Sequence, residues 1–481
     1  MSVETRAVAH TEGESNTSPE RARWLERNPD LGNQDLARRD AAVFLHQSLS
    51  SPVLSAIRKA EGIWIEDSTG RRYMDFHGNS VHHIGFGHPR LVEAIKRQLD
   101  DLPFAPRRFT CEPAVELAER LTALAPGDLG KLLFTTGGSD ANEVALKVAR
   151  AATGRFKTVS FWEAFHGAGF GAASVGGEHT FRSHIAGPLL PGTEHVAPFA
   201  CYRCPYKHPG PDACGLACAA MVEYVLEREG DVAAVIAEPM RAVPYVPPPG
   251  FWKAVKAACE AHGALLIFDE IPTGLGKTGK FFASEHDGVV PDIVVLGKAL
   301  GGGILPIAAA IARTDLDVCG DFAIGHYTHE KNPVTARAAL TTLEIIEDEG
   351  LVERSAELGA HAKARLEEAM ARSPIIGDVR GRGLLFGVEI VTDKASREPA
   401  NELAEKIFYR CLDEGLSFKI SQGCVLTLSP PLTIPKADLD RALDIVIGAI
   451  DAVAREVSGA VPGGGRTARN VDMRGSPPAR G

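Results

Sequence analysis

An α/β fold built on a large, mostly parallel sheet is predicted by three stretches of this chain. The first, LLIFD, is an apolar run that stops at Asp269, and the second, IVVLGK, stops at Lys298. The third, KLLFTTGGSDANEVALKVARAAT, passes from a short apolar strand through a glycine turn into a segment whose apolar residues recur at helical spacing. Near-continuous apolar runs suit buried parallel strands, and open α/β sheets build their sites at the carboxyl ends of such strands. One carboxylate and one amine are therefore expected in a single crevice.

Taken in order, residues 1–40 mix Ser, Thr, Glu, Arg and Asn with little periodicity, which predicts a flexible or loosely docked arm without chemistry. From Pro52, GIWIEDSTGRRYMDF alternates apolar and polar residues around an Asp-Ser-Thr-Gly turn and predicts an antiparallel hairpin. His77, Asn79, His82 and His83 occupy the loop after it, where a neutral imidazole or amide can either reach a substrate or bond nearby backbone. In LPFAPRRFT, Arg107 and Arg108 follow a proline that fixes the chain, and an extended segment would turn only one of them into a cavity. The amides of Gly138 and Ser139 then open a helix and form a candidate phosphate cradle, aided by the helix dipole. AAVIAEPM repeats the pattern of a strand ending in a carboxylate and leaves Glu238 at the crevice. Past about Thr341 a helix-rich region reads as a smaller α/β domain. Residues 459–481, rich in Gly, Pro and Arg, are expected to be disordered.

Composition narrows the class. The 481 residues are 44% hydrophobic and 24% charged, as in an ordinary globular chain of two or three domains, and the formal net charge of -10 argues against nucleic acid as a partner. No apolar run approaches the roughly 18 residues of a membrane span, and the polar N-terminus lacks a signal-peptide core, so a cytoplasmic enzyme is expected. Nine cysteines without a secretion signal point to free thiols. Cys201, Cys204, Cys214 and Cys218 have a spacing that would allow a four-thiolate zinc. The alternative is a Pro-rich loop packed by small thiols, and no metal is assigned to the site.

Either Asp269 or Lys298 alone would pass for a turn cap or a surface charge. A lysine followed by ALGGG can form an imine with an aldehyde, the glycines giving a planar cofactor room, while an aspartate can keep a pyridine nitrogen protonated. The combination D-E-x-x-x-G with P-D-I-x-x-x-G-K-x-L-G-G-G resembles the class III, fold-type I aminotransferase family of pyridoxal-phosphate enzymes, from about Pro52 to about Ala454. The resemblance implies a large sheet domain over 96–340 and a small α/β domain from 41–95 and 341–458. It implies pyridoxal 5'-phosphate as cofactor, Lys298 as its Schiff-base residue and Asp269 as the partner of the ring nitrogen. Phe165 matches a stacking aromatic, followed by His166; Glu238 lies near the substrate; and Thr328 reaches the phosphate of a neighbouring subunit, hence a homodimer. Arg380 matches an arginine that grips substrate anions, whereas Thr427 stands where many relatives carry arginine.

Such enzymes act on a small-molecule amine. Where relatives that transaminate have D-E-V-Q, this chain has Asp269-Glu270-Ile271-Pro272, and a proline cannot donate a hydrogen bond to the cofactor. With DFHGNSVHHIG, PFAPRRFT, GHYTHEKNP and SFKISQG, it resembles the branch that eliminates ammonia from (R)-1-hydroxy-2-aminoethylphosphonate, with Arg107, Arg108 and His82 as candidates for the anion. An ω-aminotransferase passing the amino group to a 2-oxo acid is the alternative. A metal-binding interaction protein that merely retains the fold is opposed by the intact Lys298 and Asp269.

Overall fold

The computed structural model describes residues 12, 15–29, 34–183 and 186–459. Its largest sheet has seven strands in the order Leu129–Thr135, Ala308–Arg313, Ile293–Leu296, Leu265–Asp269, Val232–Ala237, Lys157–Phe161 and Thr193–Val196. Ala308–Arg313 is antiparallel to both neighbours and the other pairings are parallel, so six strands bring their carboxyl ends to one edge. Val232–Ala237 is buried at every position, as a central parallel strand requires. Alternation along neighbouring strands sends Ile267, Ile293 and Val295 into one apolar cluster and Leu266, Phe268, Val294 and Leu296 into the other, so both faces are covered. Each such side chain stabilises by about 1.5–3 kcal/mol on burial. Helix Gly138–Thr153 packs Ala141, Val144 and Ala145 into the first cluster and ends at Gly154, whose φ of 67° lies in the left-handed region glycine adopts freely.

The two ends of the chain meet beside this sheet. Trp64–Asp67 and Arg72–Asp75 form the expected hairpin, its turn held by Thr69 N–H donating to Asp67 Oδ1 at 2.9 Å. Arg72–Asp75 also pairs in parallel with Leu416–Ser417. A separate antiparallel sheet runs Ile376–Arg382, Leu385–Ile390, Val425–Leu428 and Lys419–Ser421, with helices Leu351–Arg372, Asn401–Asp413 and Lys436–Gly459 around it. The described part of the N-terminal arm is docked rather than loose. Ser18 caps helix Pro19–Arg27, and the buried Trp24 donates Nε1–H to Asp413 Oδ1 at 2.8 Å with its ring 5.4 Å from that of Tyr409. One large aromatic anchors a segment in which periodicity is too short to register. The predicted disordered tail, Gly459 apart, lies outside the described residues.

Among the described residues no helix is long and apolar enough to cross a membrane. All nine cysteines are free thiols, and no group of three or more His, Cys, Asp or Glu is arranged to hold a metal ion among those residues. Cys201, Cys204, Cys214 and Cys218 line a narrow cleft with Pro198, Phe199 and Tyr206. Desolvation pushes the Cys218 thiol up to about 11, so it packs as a small apolar group.

Candidate active site

At the edge where the parallel strands end, Leu265–Asp269 delivers a buried carboxylate. Asp269 Oδ2 lies 2.8 Å from His166 Nδ1 and accepts from Asn142 Nδ2–H at 2.9 Å, while Oδ1 accepts Ile271 N–H at 3.1 Å. A carboxylate only accepts, so Nδ1 carries the imidazole proton. Asn142 also donates to the His166 carbonyl at 2.8 Å, tying helix Gly138–Thr153 to both residues. The aspartate is thus held in one position before any ligand arrives.

One strand away, Ile293–Leu296 is followed by Gly297 and Lys298. Lys298 has a φ of 40°, uncommon for a residue with a side chain, and that turn opens its amine to a cavity of about 700 Å³. The side chain is exposed to this space, yet protein surrounds the space, so desolvation lowers the amine below the ordinary lysine range while Asp269 and Glu238 pull it upward. Glu238 lines the same cavity. Burial raises its carboxyl, opposed first by Arg241, and Ala242 N–H donates to its Oε2 at 2.9 Å. Phe165 presents a ring that is 36% exposed, with Phe181 at 4.4 Å between centroids. Pro272 completes this side. A surface groove of similar size, about 760 Å³ around Lys59, Trp64 and His88, contains none of these groups.

The structure redistributes several expected roles. His82 is fully buried, its ring 5.0 Å from that of Phe86 and its Nε2 3.0 Å from the Asp75 carbonyl, and burial pushes it down to about 3. It does not line the cavity; of that loop, His77 and Asn79 do. Burial, with Lys419 nearby, pushes His77 down to about 4, leaving a neutral imidazole at pH 7. Arg107 and Arg108 are exposed and lie outside the cavity of their own chain, because Phe109 N–H donates to the Pro106 carbonyl at 2.8 Å and makes a turn where an extended segment was expected. Arg380 is held by Asp378 at 2.8 Å and Glu389 at 2.6 Å, stacks over Tyr245 and does not line the cavity that Lys298 faces; carboxylates of the protein already occupy its charge. Thr328 sits exposed on a turn and does not line this cavity.

The glycines after Lys298 serve packing instead of opening space for a cofactor. A Cβ on Gly302 would stand 2.2 Å from Leu91 Cδ2, and one on Gly303 3.1 Å from the Val81 carbonyl. Gly138 is likewise packed, against Ile271, whereas a Cβ on Gly137 would meet nothing within 4 Å. Open space at the start of helix Gly138–Thr153, beside the amides of Gly138 and Ser139, is the setting an anion requires.

Several contributors were not found from the sequence. Asn142, Arg241, Glu178 and Lys419 come from a helix interior, a loop and a three-residue strand, and Glu12, Asn16, Arg21 and Trp24 of the arm form part of the cavity wall. The ANE of the helix start and the SFKISQG segment were the available signals, and neither has a periodicity that singles out its polar residue.

The chain is similar in sequence and fold to known proteins over most of its length. Residues 46–450 match the aminotransferase class-III family model. The chain is 44% identical over 460 residues to an (R)-1-hydroxy-2-aminoethylphosphonate ammonia-lyase of Vibrio splendidus, covering 93% of this chain and 96% of that one. It is 39% identical over 407 residues to a leucine/methionine racemase of Thermococcus litoralis, covering 82% and 89%. The solved ω-transaminase of Pseudomonas jessenii in complex with PMP superposes with a TM-score of 0.84 at 28% identity, over 88% of this chain and 99% of that one. The matched span 46–450 includes the whole seven-stranded sheet together with Asp269 and Lys298, and the chain belongs to the class-III aminotransferase family of pyridoxal-phosphate enzymes.

Proposed function

We propose that this protein is a pyridoxal-phosphate-dependent lyase that releases ammonia from (R)-1-hydroxy-2-aminoethylphosphonate and leaves phosphonoacetaldehyde. The observation that carries the proposal is the pairing of a cavity-facing lysine amine with a buried, pre-positioned aspartate, in a chain whose 44% identical relative bears that activity. The residues fit the cofactor. Gly137 leaves open space at a helix start for a phosphate, Phe165 offers an accessible ring face, and the Asp269 carboxylate is tied to two donors that keep it fixed. Lys298 would hold the aldehyde, Asp269 the ring nitrogen, and Gly138 and Ser139 the phosphate. When bound, the cofactor supplies an electron sink for the carbon that bears the substrate amine.

The chain's own residues supply the rest. Lys298, its amine lowered by desolvation, takes the proton from that carbon as a general base. Hydroxide leaves the neighbouring carbon, and the enamine so formed hydrolyses to aldehyde and ammonia; water leaves once and returns once, so no acceptor is consumed. Pro272, which has no N–H, stands beside the cavity where an aminotransferase has a glutamine, and this supports elimination over amino transfer. Working as a cytoplasmic homodimer, each subunit would lend Thr328 to its neighbour's phosphate site.

The test is to supply the hydroxy-aminoethylphosphonate to purified holoenzyme without any 2-oxo acid. One ammonia and one phosphonoacetaldehyde per substrate consumed is the expected result. Product formation only after a 2-oxo acid is added would replace the lyase by an ω-aminotransferase, in which the same Lys298 moves the proton.

A further inference from the structure

Among the described residues, four Lys and Arg side chains line the cavity, and two of them are already neutralised. Arg21 pairs with Glu12 at 3.0 Å; Arg241 pairs with Glu178 at 2.8 Å and Glu163 at 3.5 Å. Lys298 is committed to the chemistry. Lys419 remains, with no hydrogen-bond or ion-pair partner among the described residues. It opens strand Lys419–Ser421 on the cavity wall, half-buried between the buried Phe418 and Ile420.

We propose that Lys419 recognises the substrate's anionic end: it would bind the tetrahedral oxyanion of a small amine whose amino group lies at Lys298. Polar groups suited to such an anion line the same cavity. Thr427 is its direct cross-strand partner, so the two side chains share a face, and Thr427 Oγ1 donates to Ser421 Oγ at 3.0 Å. Ser429, also on the cavity wall, is buried with its Oγ unpartnered. Asn79 and the neutral His77 line the same space. A phosphonate has three acceptor oxygens and up to two charges, and an ammonium with hydroxyl and amide donors can satisfy them. Desolvation and the neighbouring Arg241 and Lys298 lower the Lys419 amine, opposed first by Glu178; an incoming dianion would restore its full charge. The carboxylate nearest in influence, Glu178, is held by Arg241 and leaves Lys419 free for ligand.

The inference rests on the phosphonate reading only for the identity of the anion, so two measurements are combined. Holoenzymes of wild type, Lys419→Met and Lys419→Arg are assayed for KM and kcat on the hydroxy-aminoethylphosphonate, and separately titrated calorimetrically with methylphosphonate. Lys419→Met is expected to raise KM and weaken methylphosphonate binding by about 10- to 100-fold, the scale of a hydrogen bond to a charged group, with kcat within a few-fold. Lys419→Arg should recover most of both, and cofactor content should be equal in all three. If Lys419→Met fails to fold, the exchange Lys419→Thr with Thr427→Lys takes its place: it restores the cation across the strand pair and should regain part of the affinity. Unchanged KM and unchanged methylphosphonate binding in a folded Lys419→Met would overturn the inference. A wild type that binds methylphosphonate through Lys419 yet releases no ammonia would instead overturn the proposed reaction alone.

Discussion

The residues proposed to hold the cofactor and those proposed to meet the substrate are arranged in opposite ways. In the proposed cofactor set, Asp269, His166 and Asn142 bond one another near the ends of parallel strands and the start of a helix, and each is buried. On the substrate side, His77, Asn79, Lys419 and Ser429 come from a loop, a short strand and a chain segment near the small sheet, and some of their polar atoms have no protein partner. A fixed side suits a group that stays through every turnover. A side with unspent donors suits a ligand that must arrive, be recognised and leave.

The largest expected effect lies where the two sides meet. Lys298→Ala should lower turnover by roughly 10³- to 10⁶-fold, since it removes both the cofactor anchor and the base, while the melting temperature stays close to wild type. Turnover within tenfold of wild type would show that the base lies elsewhere. Asp269→Asn should reduce kcat by about 10²- to 10³-fold, the scale of losing one positioned electrostatic partner, with cofactor still bound. Equal loss from mutating a substrate-side residue would erase the contrast between the two sides.

Smaller effects probe the seam and the substrate wall. Lys277 is fully buried, donates Nζ–H to the Pro430 carbonyl at 2.8 Å next to Ser429, and is pushed down to about 7 by desolvation. Between pH 7 and about 10.4 the unfolded chain therefore binds a proton that the folded chain does not, and this group makes stability rise with pH, by up to about 1.4 kcal/mol per unit. Denaturant titrations at pH 7 and pH 9 should show wild type gaining about 2 to 3 kcal/mol relative to Lys277→Met; parallel pH curves would mean Lys277 keeps its proton on folding. The smallest effect is expected from Asn79→Ala, with KM rising by about three- to tenfold and kcat unchanged, as for one neutral hydrogen bond. A fall in kcat instead would move Asn79 to the catalytic side.

Legibility followed the same division. Asp269, Lys298 and Glu238 could be read because a buried parallel strand is an unbroken apolar run and its first charge marks the end. Phe165 and the Gly138–Ser139 turn were read beside a resemblance, and their neighbours bear on one another through Ile271 and Ser139. Arg107 and Arg108 fall outside the cavity of their own chain because one turn hydrogen bond, from Phe109 to Pro106, replaces the expected extended segment and its alternation. His82 and His77 are five positions apart in an irregular loop, where no period says which faces inward. Lys419 was invisible for another reason: its strand is three residues long, and its meaning depends on pairing with Thr427, which nothing local encodes.

The docked arm also sets an order of events. Trp24 reaches Asp413 across 389 positions, and strand Arg72–Asp75 waits for Leu416–Ser417. As the chain emerges from the ribosome, its first helix and hairpin therefore remain without their partners until nearly the whole sequence has been made, while the seven-stranded sheet can assemble from residues 129–313 alone. Lys419 and Ser429 are therefore made after the residues of the sheet, whereas His77 and Asn79 are made before them. The arm and the hairpin thus gain their partners only after residues 413–417 have been made, when the chain of the seven-stranded sheet is already complete.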